Sequence, residues 1–361
     1  MYKPKVVSIY SGCGGIDEGF FEANFDVVFA SDIWKLACES LKHNHPSTEV
    51  VCADIQSIDF NEISEKYGQI DCLVGGPPCP PFSKSRFYRV EKTRGIDDAS
   101  GEMTLREYFR AVKELNPSVF LFENVHGFVY KPHFEAFEFL ETTAHNLGYK
   151  VFFAVVNAAN YGIPQTRERF ICIGVRNELE DFNYPKPTHT SVENKSNSLL
   201  PKWITCGDVL QDIDFDLPED SKMQAGSKHK ELLQLVPPGD NYLFFTEEKG
   251  YPNPLFKWRS RYWSFLLKLS PNRPSWTIQA SHSNNMGPFH WKNRFLRISE
   301  IKRIQSFPDT YHLIGSYRDQ WRQIGNAVPP KLAFVFANAI KNQYFSNKEI
   351  IWDTKHSMME A

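Results

Sequence analysis

The sequence predicts an α/β protein in which helices cover both faces of a doubly wound, mostly parallel sheet, joined to a second, smaller irregular domain. Over about the first 175 residues, short apolar runs alternate with helix-like segments, which is the pattern of repeated βαβ units. Between about Tyr184 and Phe295, prolines, serines, asparagines and short aromatic clusters replace that pattern. We therefore expect one domain formed by residues 1–183 and 312–361, and a second formed by residues 184–311.

Each short apolar run bounded by turn residues predicts a buried strand. The predicted strands are Val6–Tyr10, Val27–Ser31, Val50–Cys52, Ile70–Val74, Val119–Phe122, Val151–Val156 and Arg169–Val175. Helices are predicted between the strands and after them, and they include Ile33–His43, Thr104–Leu115, Phe134–Leu147, Ile298–Ser306 and Pro330–Ile340. The last of these has proline near its start, where a helix tolerates it. The final dozen residues are predicted to form a polar tail.

The composition is that of a globular protein. Hydrophobic residues make up 42% of the 361 residues, which is enough for a substantial core, and the net charge is −2. The N-terminal MYKPKVVSIY leads almost directly into a strand, which argues against a signal peptide, and no apolar run has the length of a membrane span. Seven cysteines without a CxxC pair argue against a disulfide framework or a zinc site. We expect a metal-free monomer in the reducing cytoplasm.

The stretch Gly75–Ser85, GGPPCPPFSKS, contains a candidate nucleophile, Cys79. Glycines and prolines end the preceding strand abruptly, so Cys79 is expected on a stiff loop at a strand's carboxyl end. Open α/β sheets bind their ligands at that edge. Four prolines around one cysteine also hold its backbone in place, as a nucleophile requires. The alternative is a buried structural cysteine in a proline-rich turn.

A glycine-rich turn follows the first predicted strand, in the segment Val6–Phe20, VVSIYSGCGGIDEGF. Its glycines, Gly12, Gly14 and Gly15, allow the backbone to come close to a ligand at the mouth of the sheet. Their spacing is not the dinucleotide GxGxxG, and no Walker lysine follows, so phosphate binding is not expected.

Acidic residues follow three of the predicted strands. Asp32 ends the second strand, where a carboxylate can accept hydrogen bonds from ribose hydroxyls, and Asp54 follows the third, where it could accept from an adenine amino group. Either aspartate could instead cap a helix. Glu123 lies in FLFENV, and burial there would raise its pKa and make it a proton donor near neutrality. The alternative for Glu123 is a structural acid bonded to a neighbouring loop.

Polar residues also mark two segments further along the chain. Gln165, Arg167 and Arg169 share a parity in QTRER, so an extended chain would point all three to one face. Two guanidiniums on one face suit phosphate or carbonyl recognition, or else form an ion-paired edge. Asn326, in GNAVPP, could bind a ligand or simply hold its turn.

The charges are unevenly distributed. Residues 251–303 carry ten Lys and Arg against the single acid Glu300, with five interleaved Trp and Tyr side chains. Such a stretch is typical of a nucleic-acid-binding surface, the alternative being a solvated basic face with a few core aromatics. A polar segment between Phe82 and Gly101 carries five further basic residues. We expect it to be a mobile lid that closes over a polyanion.

Six segments, taken together and in this order, closely resemble the DNA cytosine-5 methyltransferase family, of the bacterial restriction-modification type. They are VVSIYSGCGGIDEGF, GGPPCPPFS, ENV, NAANYGIPQTRERF, LRISEIKRIQSFPD and QIGNAVPP, and they span nearly the whole chain. The resemblance implies a Rossmann-like, S-adenosylmethionine-dependent catalytic domain, a small target-recognition domain, and double-stranded DNA in the cleft between them. It also implies that the last segment returns to the large domain.

The resemblance assigns roles motif by motif. Cys79 would form a covalent adduct with a flipped-out cytosine, Glu123 would be the acid at the ring, and Arg167 and Arg169 would contact the ring or a phosphate. The implied cofactor-lining residues are Tyr10, Ser11, Gly12, Cys13, Gly14, Gly15, Asp32, Ile33, Asp54, Ile55, Pro78, Leu105, Asn326 and Val328. The expected DNA-binding residues are Ser83, Lys84, Arg86, Arg259, Arg261 and Arg294.

Two features depart from the family pattern. Pro80 follows the cysteine where members usually have Gln or Asn, and DDASGEMTL replaces the usual Asp-x-Arg before the next helix. One alternative is a transfer-RNA cytosine-5 methyltransferase, although the Cys-Phe-Thr signature of that branch is absent. Another is a catalytically silent DNA-binding protein on the same scaffold. A restriction endonuclease of the same system would be a partner without direct contact, and no base-recognition code is readable.

Overall fold

A seven-stranded sheet forms the centre of the molecule. The computed structural model describes residues 2–78, 99–193 and 199–346. The strands of the sheet are β1 Lys5–Ile9, β2 Asp26–Asp32, β3 Glu49–Cys52, β4 Cys72–Gly75, β5 Val119–Val125, β6 Tyr149–Asn157 and β8 Glu168–Arg176. Their order is β3–β2–β1–β4–β5–β8–β6, and only β8 runs antiparallel to its neighbours. A separate parallel pair consists of β7 Gln165–Thr166 and β9 Ser275–Trp276.

Helices connect and follow these strands. They are α1 Gly15–Glu22, α2 Lys35–Asn44, α3 Phe60–Tyr67, α4 Ala99–Leu115, α5 Phe134–Asn146, α6 Cys206–Leu210, α7 Lys230–Leu235, α8 Ile298–Ile304, α9 Tyr317–Asn326 and α10 Pro330–Tyr344. All seven predicted strands and five predicted helices are confirmed, with ends that shift by a few residues. Helix α4 begins at Ala99, so residues 99–101 of the expected lid are helical.

Both faces of the sheet are covered by helices. Val6 and Val7 are neighbours in β1 and point to opposite faces, because side chains alternate along a strand. Both are fully buried. Val7 belongs to a cluster with Tyr108 of α4, whereas Val6 belongs to a second cluster with Phe20 of α1 and Phe336 of α10. The predicted doubly wound α/β architecture is therefore confirmed.

The end of the chain packs against its beginning. Gly19 of α1 lies against the start of α10, where a Cβ would be 2.5 Å from the carbonyl oxygen of Pro330. No larger residue fits at that distance. This contact, together with that of Gly15 against the backbone of Val328, brings the GNAVPP segment beside the glycine-rich turn after β1.

Residues beyond β8 build two more apolar clusters. One joins Cys13 and Ala37 of the sheet region to Leu210 in α6, Ile301 in α8 and Ile324 in α9. The other lies within residues 225–289 and is rich in aromatic side chains. The division into two domains stays a prediction.

Three further properties concern the described ranges alone. None of their helices combines the length and the hydropathy that a membrane span requires. Their six cysteines are free thiols. No group of three or more His, Cys, Asp and Glu side chains within them is arranged to hold a metal ion.

Candidate active site

The candidate site lies where the sheet order reverses. Strand β1 has β2 on one side and β4 on the other, so the chain winds outward in both directions from this point. Ligands of open α/β sheets bind in the crevice that forms there, at the carboxyl ends of the strands. The segments at that edge are Tyr10–Gly15 after β1, Asp32 at the end of β2, Gly76–Pro78 after β4, and Glu123 near the end of β5.

The turn after β1 contains glycines with two different functions. Gly12 and Gly14 have φ values of 56° and 89°, in the left-handed region that favours glycine. A Cβ on Gly14 would lie 2.6 Å from the hydroxyl oxygen of Tyr311 and would also overlap Leu41. A Cβ on Gly12 would meet nothing within 4 Å. Gly14 is therefore required by packing, whereas Gly12 leaves its backbone open to an incoming ligand.

Asp32 holds this turn in place. Its Oδ2 accepts a hydrogen bond from the backbone N–H of Gly12 at 2.8 Å, and its Oδ1 accepts one from Trp34 at 2.8 Å. Burial raises the pKa of Asp32, and the backbone N–H donors oppose that rise. Ile33, which follows it, is 70% exposed. An exposed isoleucine beside a fixed carboxylate gives the edge both an apolar and a polar contact surface.

Asp54 has the capping role that the sequence left open. Its Oδ1 accepts a hydrogen bond from the backbone N–H of Gln56 at 3.0 Å, at the start of a short 3-10 helix. The side chain is exposed. The cap uses one carboxylate oxygen, so contact with an adenine amino group stays a prediction.

The predicted cofactor-lining residues fall into two groups. Those at least partly exposed are Tyr10, Gly12, Asp32, Ile33, Asp54, Pro78 and Asn326. Those buried are Ser11, Cys13, Gly14, Gly15, Ile55, Leu105 and Val328. A buried side chain shapes the crevice from behind, and only the first group presents surface to a ligand directly. Their assignment to a cofactor stays a prediction.

A buried ion pair joins the ends of β5 and β8. The Nε of Arg169 lies 2.8 Å from Oε1 of Glu123, and the side chains are 10% and 7% exposed. Burial raises the pKa of Glu123, while the charges of Arg169 and Arg167 lower it. A Cβ on Gly76 would lie 2.7 Å from Oε2 of Glu123. The loop that leads from β4 to Cys79 therefore passes directly against this carboxyl group.

Asn124 is a site residue that the sequence analysis missed. It is fully buried, its Nδ2 donates to the carbonyl oxygen of Pro77 at 3.3 Å, and its Oδ1 accepts from the backbone N–H of Val125 at 2.9 Å. Asn124 thus links β5 to the loop after β4 at Pro77, which is two residues before Cys79. The available signal was an amide within an apolar strand, because a buried amide requires a polar partner.

Arg167 and Gln165 stabilise a junction between distant segments. The guanidinium of Arg167 is buried and donates to the backbone carbonyls of Ile278 at 3.1 Å, Gly325 at 3.2 Å and Ala327 at 3.0 Å. The amide of Gln165 accepts from the backbone N–H of Ile278 at 3.1 Å. The shared parity is confirmed, since Gln165, Arg167 and Arg169 are all buried. The carbonyls that Arg167 recognises, however, belong to the protein itself, which differs from the expected ring or phosphate contact.

Four predicted site residues lie outside the described residues. They are Cys79, Ser83, Lys84 and Arg86. The expected lid is likewise outside them up to residue 98.

The predicted basic stretch contains six residues that are paired within the protein. Arg294 is buried and donates to both carboxylate oxygens of Glu300, at 2.7 and 2.9 Å. The prediction that Arg294 contacts DNA is therefore wrong, because its charge is already compensated inside the fold. Carboxylates or backbone carbonyls outside residues 251–303 bind the other five paired cations. The remaining paired cations are Lys268, Lys292, Arg297, Lys302 and Arg303.

The same stretch also contains basic residues that are exposed beside exposed aromatic rings. We call this part the basic aromatic surface and define it as residues 257–263 together with Trp276. Arg259 and Arg261 are exposed there, beside Tyr262 at 64% and Trp263 at 52% exposure. The rings of Trp263 and Trp276 pack edge to face at 5.4 Å. Exposed cations beside exposed aromatic rings are typical of nucleic-acid interfaces. DNA contact by Arg259 and Arg261 stays a prediction.

These features define an α/β protein with a doubly wound sheet and a candidate crevice at the carboxyl edge of its strands. The family model of the C-5 cytosine-specific DNA methylases matches residues 4–342. The chain belongs to this family and is a methyltransferase, so the resemblance carried by its six motifs is confirmed.

Two relatives and one solved structure give the extent of the likeness. The Type II methyltransferase M.SacI of Streptomyces achromogenes is 38% identical, over 94% of this chain and 93% of that protein. The Type II methyltransferase M.NgoFVII of Neisseria gonorrhoeae is 33% identical, over 96% and 89%. The crystal structure of the S. pombe Dnmt2 methyltransferase matches with a TM-score of 0.65 at 16% identity, over 95% of this chain and 100% of that one. That last likeness concerns the fold.

Proposed function

We propose that this protein transfers the methyl group of S-adenosylmethionine to carbon 5 of a flipped-out cytosine at a specific site in duplex DNA, with Cys79 as nucleophile and Glu123 as acid. The observation that carries this proposal is the buried Glu123–Arg169 pair, which lies against the loop leading to Cys79. The similarity to Type II methyltransferases supports a role in a restriction-modification system, alongside an endonuclease that acts separately. We also propose that the protein is a monomer and that it lies in the cytoplasm, associated with the DNA.

The chain's own residues fit S-adenosylmethionine at the carboxyl edge of the sheet. Gly12 leaves room for a ligand against its backbone, Asp32 retains acceptor capacity for ribose hydroxyls, and the exposed Ile33 offers an apolar face to a purine ring. When bound, this cofactor supplies an electrophilic methyl group on a sulfonium centre.

The reaction requires two groups that act on the same cytosine ring, a nucleophile at carbon 6 and an acid near nitrogen 3. Carbon 5 of cytosine is a poor nucleophile until the thiolate of Cys79 adds to carbon 6 and turns the ring into an enamine. Negative charge then develops toward ring nitrogen 3. A carboxyl group whose pKa is raised by burial, as in Glu123, can hold a proton there and stabilise that charge. After methyl transfer, loss of the carbon-5 proton lets the cysteine leave.

The target base must also leave the helix. Carbon 6 is stacked inside a duplex, and extruding a base costs roughly a few kcal/mol. Contacts to the DNA backbone offset that cost, and the basic aromatic surface offers exposed cations for them.

A trapping experiment tests the proposal. Sequencing of methylated cytosines in DNA from cells that express the protein first gives the target. A duplex with 5-fluorocytosine at that position, incubated with protein and S-adenosylmethionine, should yield a covalent complex that mass spectrometry maps to Cys79. The Cys79→Ala variant should form no complex yet retain its affinity for the cofactor. Cys52→Ala removes the exposed thiol at the end of β3, next to Asp32, and the complex should still form on Cys79.

Two results would contradict the proposal. Methyl transfer at a normal rate by Cys79→Ala would exclude the covalent mechanism. Trapping on transfer RNA in place of duplex DNA would favour the RNA-directed alternative.

A further inference from the structure

A cationic cavity lies beside the candidate active site. It has a volume of about 300 Å³, opens to solvent, and is lined by Ala280, Ser281, His282, Arg318 and Arg322. The first three residues lie shortly after β9, and the two arginines project from α9. Two segments separated in sequence therefore form opposite walls of one cavity.

The two walls are fixed to each other. Trp321 of α9 is buried, and its Nε1 donates to the carbonyl oxygen of Gln279 at 2.8 Å. Its ring lies 4.3 Å from the ring of His282. A Cβ on Gly325 would be only 2.6 Å from Cα of Ala280, so helix and segment are in backbone contact. The positions of the lining groups are thus set before any ligand arrives, which lowers the entropic cost of binding.

Among the described residues, no carboxylate is in direct contact with the two arginines of this cavity, although the charge of Asp319 acts on both. Within the described part of the chain, neither Arg318 nor Arg322 has a carboxylate oxygen within 4.0 Å. The acid next to them on α9, Asp319, accepts from the backbone N–H and the hydroxyl of Ser316 at the start of the helix. Both arginines are exposed. This arrangement contrasts with Arg294, whose charge is matched inside the fold.

The cavity is connected to the edge of the sheet. The guanidinium carbon of Arg322 lies 4.6 Å above the ring centroid of Trp34, whose backbone N–H binds Asp32. Asn326, a predicted cofactor-lining residue, ends the same helix that carries both arginines. An anion held in the cavity would therefore have a fixed position relative to the reacting groups.

We propose that this cavity binds one phosphodiester group of the DNA backbone, with Arg318 and Arg322 as its cationic ligands and Ser281 and His282 as additional hydrogen-bonding groups. The proposal rests on the proposed function, since it names a contact to the same DNA. Guanidinium groups present planar pairs of donors that match phosphate oxygens. Contacts to phosphate fix the register of a duplex without reading its sequence. The cavity thus positions the strand while the base enters the active site.

The salt dependence of DNA binding tests this proposal. Dissociation constants for a duplex would be measured between 50 and 200 mM salt for the wild type and for Arg318→Gln/Arg322→Gln. Loss of one phosphate contact lowers the slope of log K against log salt by about 0.9, so we expect a slope about one unit smaller and several-fold weaker binding at low salt. Arg318→Lys/Arg322→Lys should keep most of the slope.

A control variant that loses the same charge elsewhere distinguishes a specific phosphate contact from a general effect of net charge. Lys42 and Lys113 are exposed cations in the last turns of α2 and α4. From those turns the chain continues to the amino ends of β3 and β5, whereas ligands of an open sheet bind at the carboxyl ends. Lys42→Gln/Lys113→Gln removes the same net charge and should leave the slope unchanged. Equal thermal midpoints for all variants would show that the fold is intact.

Three results would overturn the proposal. A wild-type slope in Arg318→Gln/Arg322→Gln, with 5-fluorocytosine trapping intact, would remove the cavity from the DNA interface and leave the proposed function standing. Weakened S-adenosylmethionine binding with an unchanged slope would assign the cavity to the carboxylate of the cofactor. Failure of the wild type itself to bind duplex DNA would refute both proposals together.

Discussion

Arg169 and Glu123 form an ion pair of 2.8 Å across neighbouring antiparallel strands, in a position where both side chains are almost fully buried. Two opposing effects meet at this carboxyl group. Burial favours its neutral form and the two arginine charges favour its ionised form, with burial the larger effect. The balance decides how readily Glu123 can hold a proton against a substrate ring.

Replacing Glu123 by Gln tests its role as acid. The amide keeps the size of the side chain but cannot transfer a proton, and general acid–base catalysis contributes about 10²–10⁴-fold. We expect single-turnover methyl transfer to fall by about that factor while the affinity for duplex DNA changes little. Glu168→Gln, at an exposed acid that pairs with His126, is the control and should stay near the wild-type rate. Equal losses of rate and DNA affinity in Glu123→Gln would show a structural role.

Replacing Arg169 by Gln should change the pH dependence of the reaction. Its charge lowers the pKa of Glu123, so removing it raises that pKa further. The protonated form then persists to higher pH, and the basic limb of kcat against pH should move upward. Arg169→Lys should return the limb toward the wild-type position. Arg176→Gln, at the other end of β8, should not move it. A basic limb that stays in place would mean that Glu123 is not the group that titrates.

The same variant makes a prediction about stability. A carboxyl group whose pKa is higher in the folded than in the unfolded protein binds more protons when folded between those two values. Stability therefore falls as pH rises from the ordinary glutamate range to the folded pKa of Glu123. Arg169→Gln widens this window, so its thermal midpoint should fall over a longer pH interval than that of the wild type.

Local patterns in the sequence predicted much of the fold. Apolar runs located every strand of the sheet, because a buried parallel strand has a nearly continuous apolar sequence. The bounds of helix α3 were missed although Asp59 caps it, accepting from the backbone N–H groups of Asn61 and Glu62. Helix α9 was missed although Ser316 and Asp319 form a capping box. Both helices carry mostly polar sequence, so they lack the long apolar runs that predicted other elements, although their capping signals are clear.

Long-range pairing explains what the sequence could not show. A count of charges along residues 251–303 finds one acid, but Arg297 binds Asp220, which is 77 residues away. Arg167 likewise has the predicted orientation, yet its partner Gly325 lies 158 residues further on. Parity and composition are local properties, and neither reveals which distant segment the fold brings alongside. The same limit hid the cationic cavity, because the hydrogen bond between its walls joins Trp321 to Gln279, 42 residues away.

Two glycine substitutions should separate ligand binding from packing. Gly12→Ala places a Cβ in open space at a left-handed residue, where the strain is about 1–2 kcal/mol. Gly14→Ala has the same strain and in addition collides with Leu41 and Tyr311. We expect Gly12→Ala to weaken S-adenosylmethionine binding measurably with a modest loss of stability, and Gly14→Ala to lower the thermal midpoint much more. Calorimetric titration and thermal melting check the two effects, and similar melting of both variants would contradict this account of the turn.

The basic aromatic surface should contribute to the salt dependence of DNA binding. Arg259 and Arg261 are exposed, so their removal costs little in packing. Arg259→Gln/Arg261→Gln should lower the slope of log K against log salt by up to about 1.8, which corresponds to two phosphate contacts. The thermal midpoint should stay close to that of the wild type, and Lys42→Gln/Lys113→Gln again supplies the charge-matched control. An unchanged slope would move the DNA-binding surface elsewhere.

Replacing Arg294 should lower stability and leave the salt dependence of DNA binding unchanged, because its charge is used in a buried ion pair with Glu300. Removing one partner of a buried ion pair leaves the other uncompensated and typically costs about 3–5 kcal/mol. Arg294→Gln leaves the fully buried Glu300 with fewer donors, although Arg297 still supplies its backbone N–H at 2.8 Å. We expect a loss near the lower end of that range, measured by chemical denaturation, and an unchanged salt slope for the protein that remains folded. Lys150→Gln, which breaks an exposed pair with Asp181, should cost less than about 1 kcal/mol. A stable Arg294→Gln variant with a reduced salt slope would return Arg294 to the DNA interface.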